Sequence, residues 1–107
     1  FRPAEGKARE VPCDGVFPMG YEPYEQGPVT DILLEAGDRI LLYTDGVSER
    51  FNTDKQPYGE DRLCRQMERP GVDGPAAIVG SIMQDLEMFS GGRPADDDQA
   101  LVVAFIE

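Results

Sequence analysis

Histidine is absent from the 107 residues of this chain, and that absence removes a good deal of chemistry. Ser-His-Asp and Cys-His catalysis both need an imidazole, and so does a zinc site with imidazole ligands. Any metal would have to be bound through oxygen, which selects magnesium, manganese or calcium. Cysteine is scarce too: Cys13 and Cys64 stand alone, without metal-type spacing. No disulfide framework is expected from them, and both read as reduced thiols of a cytoplasmic protein. Basic residues are outnumbered, 10 against 21 acidic, for a net charge of −11. Phosphate backbones are bound by clustered Lys and Arg, so nucleic acid is excluded as a partner. An acidic chain can still bind cations. No apolar run approaches the roughly 18 residues needed to span a bilayer, and Phe1-Arg2-Pro3 is not followed by the apolar core of a secretory leader. Membrane insertion is therefore not expected. Repeats and low-complexity tracts are also missing.

What remains is a globular composition, 40% hydrophobic and 29% charged, long enough for one small domain with a modest core. A chain opening on Phe1 is expected to be a piece of a longer protein. Its first 28 residues are rich in Gly and Pro, with a strand-like piece at Ala8 to Val11 and loop punctuation at Pro18-Met19-Gly20 and Gly27-Pro28. Residues 29–35 and 39–44 then read as two strands joined by a tight turn at Ala36-Gly37-Asp38, a β-hairpin. The second strand is a nearly continuous apolar run, expected to be covered on both faces and central in its sheet. The next stretch, Val47 to Arg50, reads as a loop or helical turn. A helix is expected from about Gly59-Glu60-Asp61 to Pro70-Gly71, with an acidic first turn that suits its dipole. A second opens at Pro75 and ends at Gly91-Gly92, with Ile78, Val79, Ile82, Met83, Leu86 and Phe89 at steps of three and four. Residues 100–106 form a closing buried strand, free to lie beside either earlier one. The fold class is α+β.

Two features can carry chemistry. Tyr43-Thr44-Asp45-Gly46-Val47 ends one buried strand, and Asp96-Asp97-Asp98 directly precedes another. Each puts a carboxylate where a rigid strand meets a loop, a good place to hold a metal. Each also has a structural alternative: Asp-Gly is a strong hairpin dipeptide, and an acidic run is usually a solvated loop. No strand follows Asp45-Gly46, which weighs against the hairpin. An EF-hand is excluded, because neither acidic stretch supplies the alternating ligands, the central Gly and the closing Glu.

Together the two features resemble a family. The stretch from Leu34 through Gly37-Asp38 to Tyr43-Thr44-Asp45-Gly46-Val47-Ser48-Glu49 is similar to the "L-x-x-G-D-x-L-x-L-Y-T-D-G-V-x-E" run of bacterial phosphatases of the stage II sporulation protein E type. These are a branch of the protein phosphatase type 2C (PPM) superfamily. The likeness continues through Asn52, Tyr58-Gly59 and Arg62-Leu63, and closes on Asp97-Asp98-Gln99-Ala100-Leu101-Val102-Val103, like "D-D-x-T-L-V-V". Upstream, Phe17-Pro18-Met19-Gly20 resembles an "x-P-L-G" loop.

The resemblance implies that residues 1–107 are the C-terminal portion of a single PPM-type domain, a β-sandwich of antiparallel sheets flanked by helices, with the N-terminal half absent. It implies a two-metal centre of Mn²⁺ or Mg²⁺ whose water attacks a phosphoserine or phosphothreonine, with no side chain as catalytic nucleophile or base. By position Asp45 matches the metal-bridging aspartate and Asp97 the late aspartate that completes the site. Asp98 and Gly46 are the further candidates for metal, while Asp96 is left out and Asp38 reads as structural. The family's early metal aspartate is not in this chain, Ala100 stands where Thr is usual, and Arg50 replaces a small residue. The implied function is a cytoplasmic metal-dependent serine/threonine phosphatase. Its expected substrate is a regulatory phosphoprotein such as an anti-sigma-factor antagonist. The alternative is a non-catalytic phosphatase-like domain used for protein–protein regulation. Half a sandwich would expose apolar faces and strand edges, so dimerisation or a domain swap is expected of it alone.

Overall fold

In the computed structural model, residues 1–12 and 29–107 are described. Cys13, the loop at residues 17–20 and Gly27-Pro28 lie outside the described residues. The order of elements is β1 (Arg39–Tyr43), α1 (Asp45–Ser48), α2 (Glu60–Glu68), α3 (Pro75–Ser90) and β2 (Leu101–Phe105). Among the described residues this is an α+β arrangement of two antiparallel strands and three helices, consistent with part of a PPM-type fold.

The two strands pair from Arg39↔Phe105 to Tyr43↔Leu101. Because side chains alternate along a strand, Leu41 and Tyr43 face the same side as their partners Val103 and Leu101, and these pack on the core. The next pair, Leu42↔Val102, points the other way and is 63% and 60% exposed. That corrects the expectation of a strand covered on both faces. The apolar run is continuous, yet among the described residues the second face is open at Leu42 and Val102, while Ile40 and Ala104 on that face are half-buried.

A second correction concerns the hairpin. Its turn exists: Asp38 N–H donates to the Glu35 carbonyl, and Gly37 holds φ at 93°. Residues 29–35, however, form no strand, and Val29 and Leu33 are largely exposed. The backbone groups at the turn are already used by the closing strand. Gly37 N–H donates to the Ile106 carbonyl, and Ile106 N–H donates to that of Asp38. The ladder therefore runs on past Phe105, and β2 takes the edge that the hairpin reading gave to residues 29–35. The other edge of β1 is met at Arg39, whose N–H donates to the Phe1 carbonyl. Ala8 to Val11 is not a strand either; Ala8 N–H donates to Glu68 instead.

Both long helices lie where periodicity and end signals place them. Glu60 and Asp61 begin α2, which buries Leu63 and Met67. Pro75 opens α3, and Gly91 closes it in the left-handed region at φ 62°, a conformation that glycine adopts without strain. The buried stripe of α3 is Ile78, Ile82, Leu86 and Ser90. It is narrower than the amphipathic pattern suggests, since Met83 lies outside it and is exposed. Helix α3 packs on β2 and on α2. The core between them is Val47, Tyr58, Leu63, Met67, Ile78, Ile82 and Leu86. Among the described residues no helix is long and apolar enough to cross a membrane.

The loop from Arg50 to Gly59 is fastened at several points. Asn52 Oδ1 accepts from the N–H groups of Asp54 and Gln56. The Tyr58 hydroxyl donates to Asp85 at 2.6 Å, and its ring meets Phe89 edge-on at 5.4 Å. Arg62 lies over Phe89 at 4.5 Å. Arg50 is buried and donates through Nη2 to the Arg93 carbonyl just past α3, while its Nε and Nη1 have no partner among the described residues. The cluster of Asn52, Tyr58 and Arg62 singled out by the resemblance thus serves the loop and core, not an open site. Cys64 on α2 is a half-buried free thiol, and burial pushes it above the usual range, helped by the charges of Glu68 and Asp61.

Candidate metal centre

Antiparallel pairing brings the C-terminal end of β1 to the N-terminal end of β2, and with them the two acidic motifs. The ladder extends one rung beyond Tyr43↔Leu101, as Thr44 N–H donates to the Ala100 carbonyl at 3.0 Å. Immediately after Thr44 the chain turns into α1, and Val47 sinks fully into the core. The turn that carries Asp45 and Gly46 is therefore anchored on both sides, by a strand and by a buried side chain.

Thr44 stands at the N-cap of α1 with extended backbone, φ −90° and ψ 160°, yet its side chain makes no cap bond. Its hydroxyl crosses to the other strand instead. Oγ1 accepts from the Ala100 N–H at 3.1 Å and has the carbonyls of Asp98 and Ala100 within donating reach, at 3.3 and 3.4 Å. Gln99 returns the contact, its Nε2 donating to the Gly46 carbonyl at 3.3 Å.

Gly46 is where the two turns come closest. A Cβ on it would stand 2.1 Å from the Asp98 carbonyl oxygen, a distance no side chain can adopt without moving backbone. Glycine is required here by the neighbouring chain and not by its own dihedral angles.

The structure thus brings together three of the metal candidates: Asp45 and Gly46 on one turn, Asp98 on the other, with Asp97 adjoining. The three carboxylate residues are exposed, and among the described residues none of them forms an ion pair. Asp97 Oδ1 accepts from the Asp98 N–H at 2.7 Å, which holds the Asp97 side chain against its own turn. Asp96 is paired with Arg93 at 3.1 Å and stands apart. Asp38 lies at the opposite end of β1, buried, with Arg2 donating to both its oxygens at 3.1 and 2.8 Å. The Arg2 guanidinium and the Glu35 N–H lower its carboxyl to about 2, the behaviour of a structural ion pair. The residues missed from sequence are Thr44 and Gln99. Their partners are more than fifty positions away, so the resemblance, whose run includes Thr44, does not say what either side chain touches.

In kind, these donors fit a hard divalent cation: all are oxygen, and no imidazole or thiolate competes. In number they supply part of a shell, since among the described residues no group of three or more His, Cys, Asp or Glu side chains converges at a metal-binding arrangement. Magnesium-like ions commonly sit on one or two carboxylates and keep several waters, and the close approach at Gly46 draws two such turns together.

Against known proteins, the profile of the Stage II sporulation protein E family matches residues 1–106. The chain belongs to the stage II sporulation protein E family. Membership makes this a phosphatase-related domain, and a protein substrate goes with that class. No curated protein and no solved structure matches. The stage II sporulation protein E match covers both acidic turns together with the strands that join them.

Proposed function

We propose that this domain hydrolyses phosphoserine or phosphothreonine on a regulatory protein, such as an anti-sigma-factor antagonist, as a manganese- or magnesium-dependent phosphatase of the cytoplasm. One observation carries the reading: two turns bearing Asp45 and Asp97-Asp98 are locked side by side at Gly46, with their carboxylates exposed and, among the described residues, free of internal cations. Family membership supports the reaction class.

Asp45, Asp97 and Asp98 would hold the cation, with the Gly46 carbonyl beside them. When bound, such an ion supplies an activated water and neutralises phosphoryl oxygens, so the reaction needs no histidine base. The contribution of this chain is placement. Val47 fixes the turn of Asp45 in the core, and the β1–β2 ladder fixes the turn of Asp97 and Asp98 against it. Exposure leaves the carboxylates open to a phosphorylated segment of another protein. Their negative charge would repel a phosphate in the absence of the cation, so cation binding and substrate binding are expected to be coupled.

The test is hydrolysis of p-nitrophenyl phosphate and of a phosphoserine protein by the full-length protein, with and without Mn²⁺, beside Asp45→Ala and Asp97→Ala. Manganese-dependent activity lost in both variants supports the assignment. A folded protein inactive at every manganese concentration would sink it and favour the alternative, a phosphatase-like domain kept for protein–protein regulation.

A further inference from the structure

We propose that Thr44 and Gln99 are positioning residues for the divalent cation, forming a reciprocal latch that sets the distance between the Asp45 turn and the Asp97-Asp98 turn; this rests on the metal-dependent reading above. Neither side chain is a ligand in it. The Thr44 hydroxyl takes the Ala100 N–H at 3.1 Å and faces the Asp98 carbonyl at 3.3 Å, reaching from β1's side to the acidic turn. Gln99 reaches back from that turn to the Gly46 carbonyl at 3.3 Å. The two contacts run in opposite directions across the same gap, and between them the chains touch so closely that Gly46 admits no Cβ.

The latch has a reason to exist beyond the fold. A normal N-cap threonine turns its hydroxyl to the N–H groups of its own helix, whereas Thr44 leaves α1 without that bond. The hydroxyl is spent on the opposite strand, at the point where the ladder would otherwise fray and the acidic turns separate. Carboxylates of like charge push such turns apart. A fixed bridge between their backbones holds them at the separation a cation needs, and lowers the cost of assembling the shell.

Manganese affinity of the full-length protein, followed by the electron paramagnetic resonance signal of free Mn²⁺, tests this without recourse to activity. Thr44→Val keeps shape and removes the hydroxyl, Thr44→Ser keeps the hydroxyl, and Gln99→Leu removes the return contact without touching the ladder. Outer-shell partners of metal ligands commonly contribute about 10–100-fold in affinity. Thr44→Val and Gln99→Leu are each expected to weaken manganese binding by about tenfold, Thr44→Ser by less than about twofold, a loss larger than any small fall in the metal-free melting temperature accounts for. Wild-type affinity in both Thr44→Val and Gln99→Leu overturns the latch and leaves the metal reading intact. So does a loss that follows a matching fall in the metal-free melting temperature and is not restored in Thr44→Ser, because that describes an ordinary structural contact. Failure of the unaltered protein to bind manganese overturns the latch together with the reading beneath it. Should Thr44→Val not fold, Gln99→Leu carries the same decision alone.

Discussion

The β1–β2 ladder ends in acidic residues on both sides, and the protein treats the two ends in opposite ways. At the Arg39↔Phe105 end, Asp38 is buried, held by two bonds from Arg2 and a third from the Glu35 N–H. At the Tyr43↔Leu101 end, Asp45, Asp97 and Asp98 are exposed, and among the described residues no Lys or Arg answers them. A carboxylate that serves only the fold is neutralised from within the chain, since a buried charge without a partner is costly. Carboxylates held rigid at their backbones and open at their side chains are instead left for the external cation of the proposed metal site. The same motif chemistry, an aspartate beside a glycine in a turn, thus has two meanings, and the nearest cation tells them apart.

Exchanging the damage between the ends should break the comparison most visibly. Asp45→Ala is expected to lower manganese-dependent hydrolysis on the order of a hundredfold or more, the loss of several kcal/mol of transition-state stabilisation. Its exposed side chain should alter folding stability by no more than about 0.5 kcal/mol. Asp38→Asn should do the reverse, with hydrolysis kept and the melting temperature lowered. Activity assays and thermal melts on the same two preparations check both halves. An inactive but fully stable Asp38→Asn would show that the ends do not divide their tasks in this way.

The glycines sharpen the same contrast at smaller amplitude. Gly46→Ala forces a Cβ toward the Asp98 carbonyl, an overpacking cost of about 1–3 kcal/mol. It must be relieved by shifting one acidic turn from the other. Gly37→Ala meets only Pro3 Cγ at 3.6 Å but keeps a φ of +93°, a strain of order 1–3 kcal/mol for a residue with a side chain. Denaturant melts should therefore place the two variants close together, while manganese titration separates them: affinity falls in Gly46→Ala and holds in Gly37→Ala. Equal affinity in both would mean that the close approach at Gly46 is packing and nothing more.

Much of this was legible in the residues, and the part that was not has a common cause. Both long helices declare themselves through local signals: Pro75 at a start, Gly91 at an end, and apolar residues recurring at helical spacing between them. The two acidic turns could be read as neighbours in one candidate site because a family resemblance links stretches that composition alone keeps separate. Strand partnership could not be read, since the pairing of β1 with β2 spans the whole of the helical segment. The turn at Gly37 looks the same whether the next strand folds back or the closing strand arrives with Ile106 from the far end of the sequence. The contact of the Thr44 hydroxyl was hidden for the same reason, although the residue itself stands in the motif. At the end of a strand, threonine reads as a β-former, and only the position of Ala100 and Asp98 reveals what its hydroxyl does. The expectation of a strand buried on both faces failed at Leu42 and Val102 because continuous hydrophobicity reports what a strand can bury, and says nothing of which neighbours are there to cover it.

The smallest expected effect concerns acid, and it isolates the structural end of the ladder. Bonds from the Arg2 side chain, then from the Glu35 N–H, lower the Asp38 carboxyl to about 2, against an ordinary value near 3.9. A carboxyl whose folded value lies below its unfolded one binds its proton more readily in the unfolded chain. Its ion pair therefore adds stability that is complete above about pH 4 and is lost as pH falls through about 2. Subtracting the stability of Asp38→Asn from that of the unaltered protein at each pH should give a difference that is level at neutral pH, declines between these two values and vanishes below them. Arg2→Met should reduce the same decline, because the guanidinium is the larger cause of the shift while the Glu35 N–H remains. A difference curve that stays level down to pH 2 would show that Arg2 does not grip Asp38 in solution, and the contrast between a neutralised end and an open end would lose its first half.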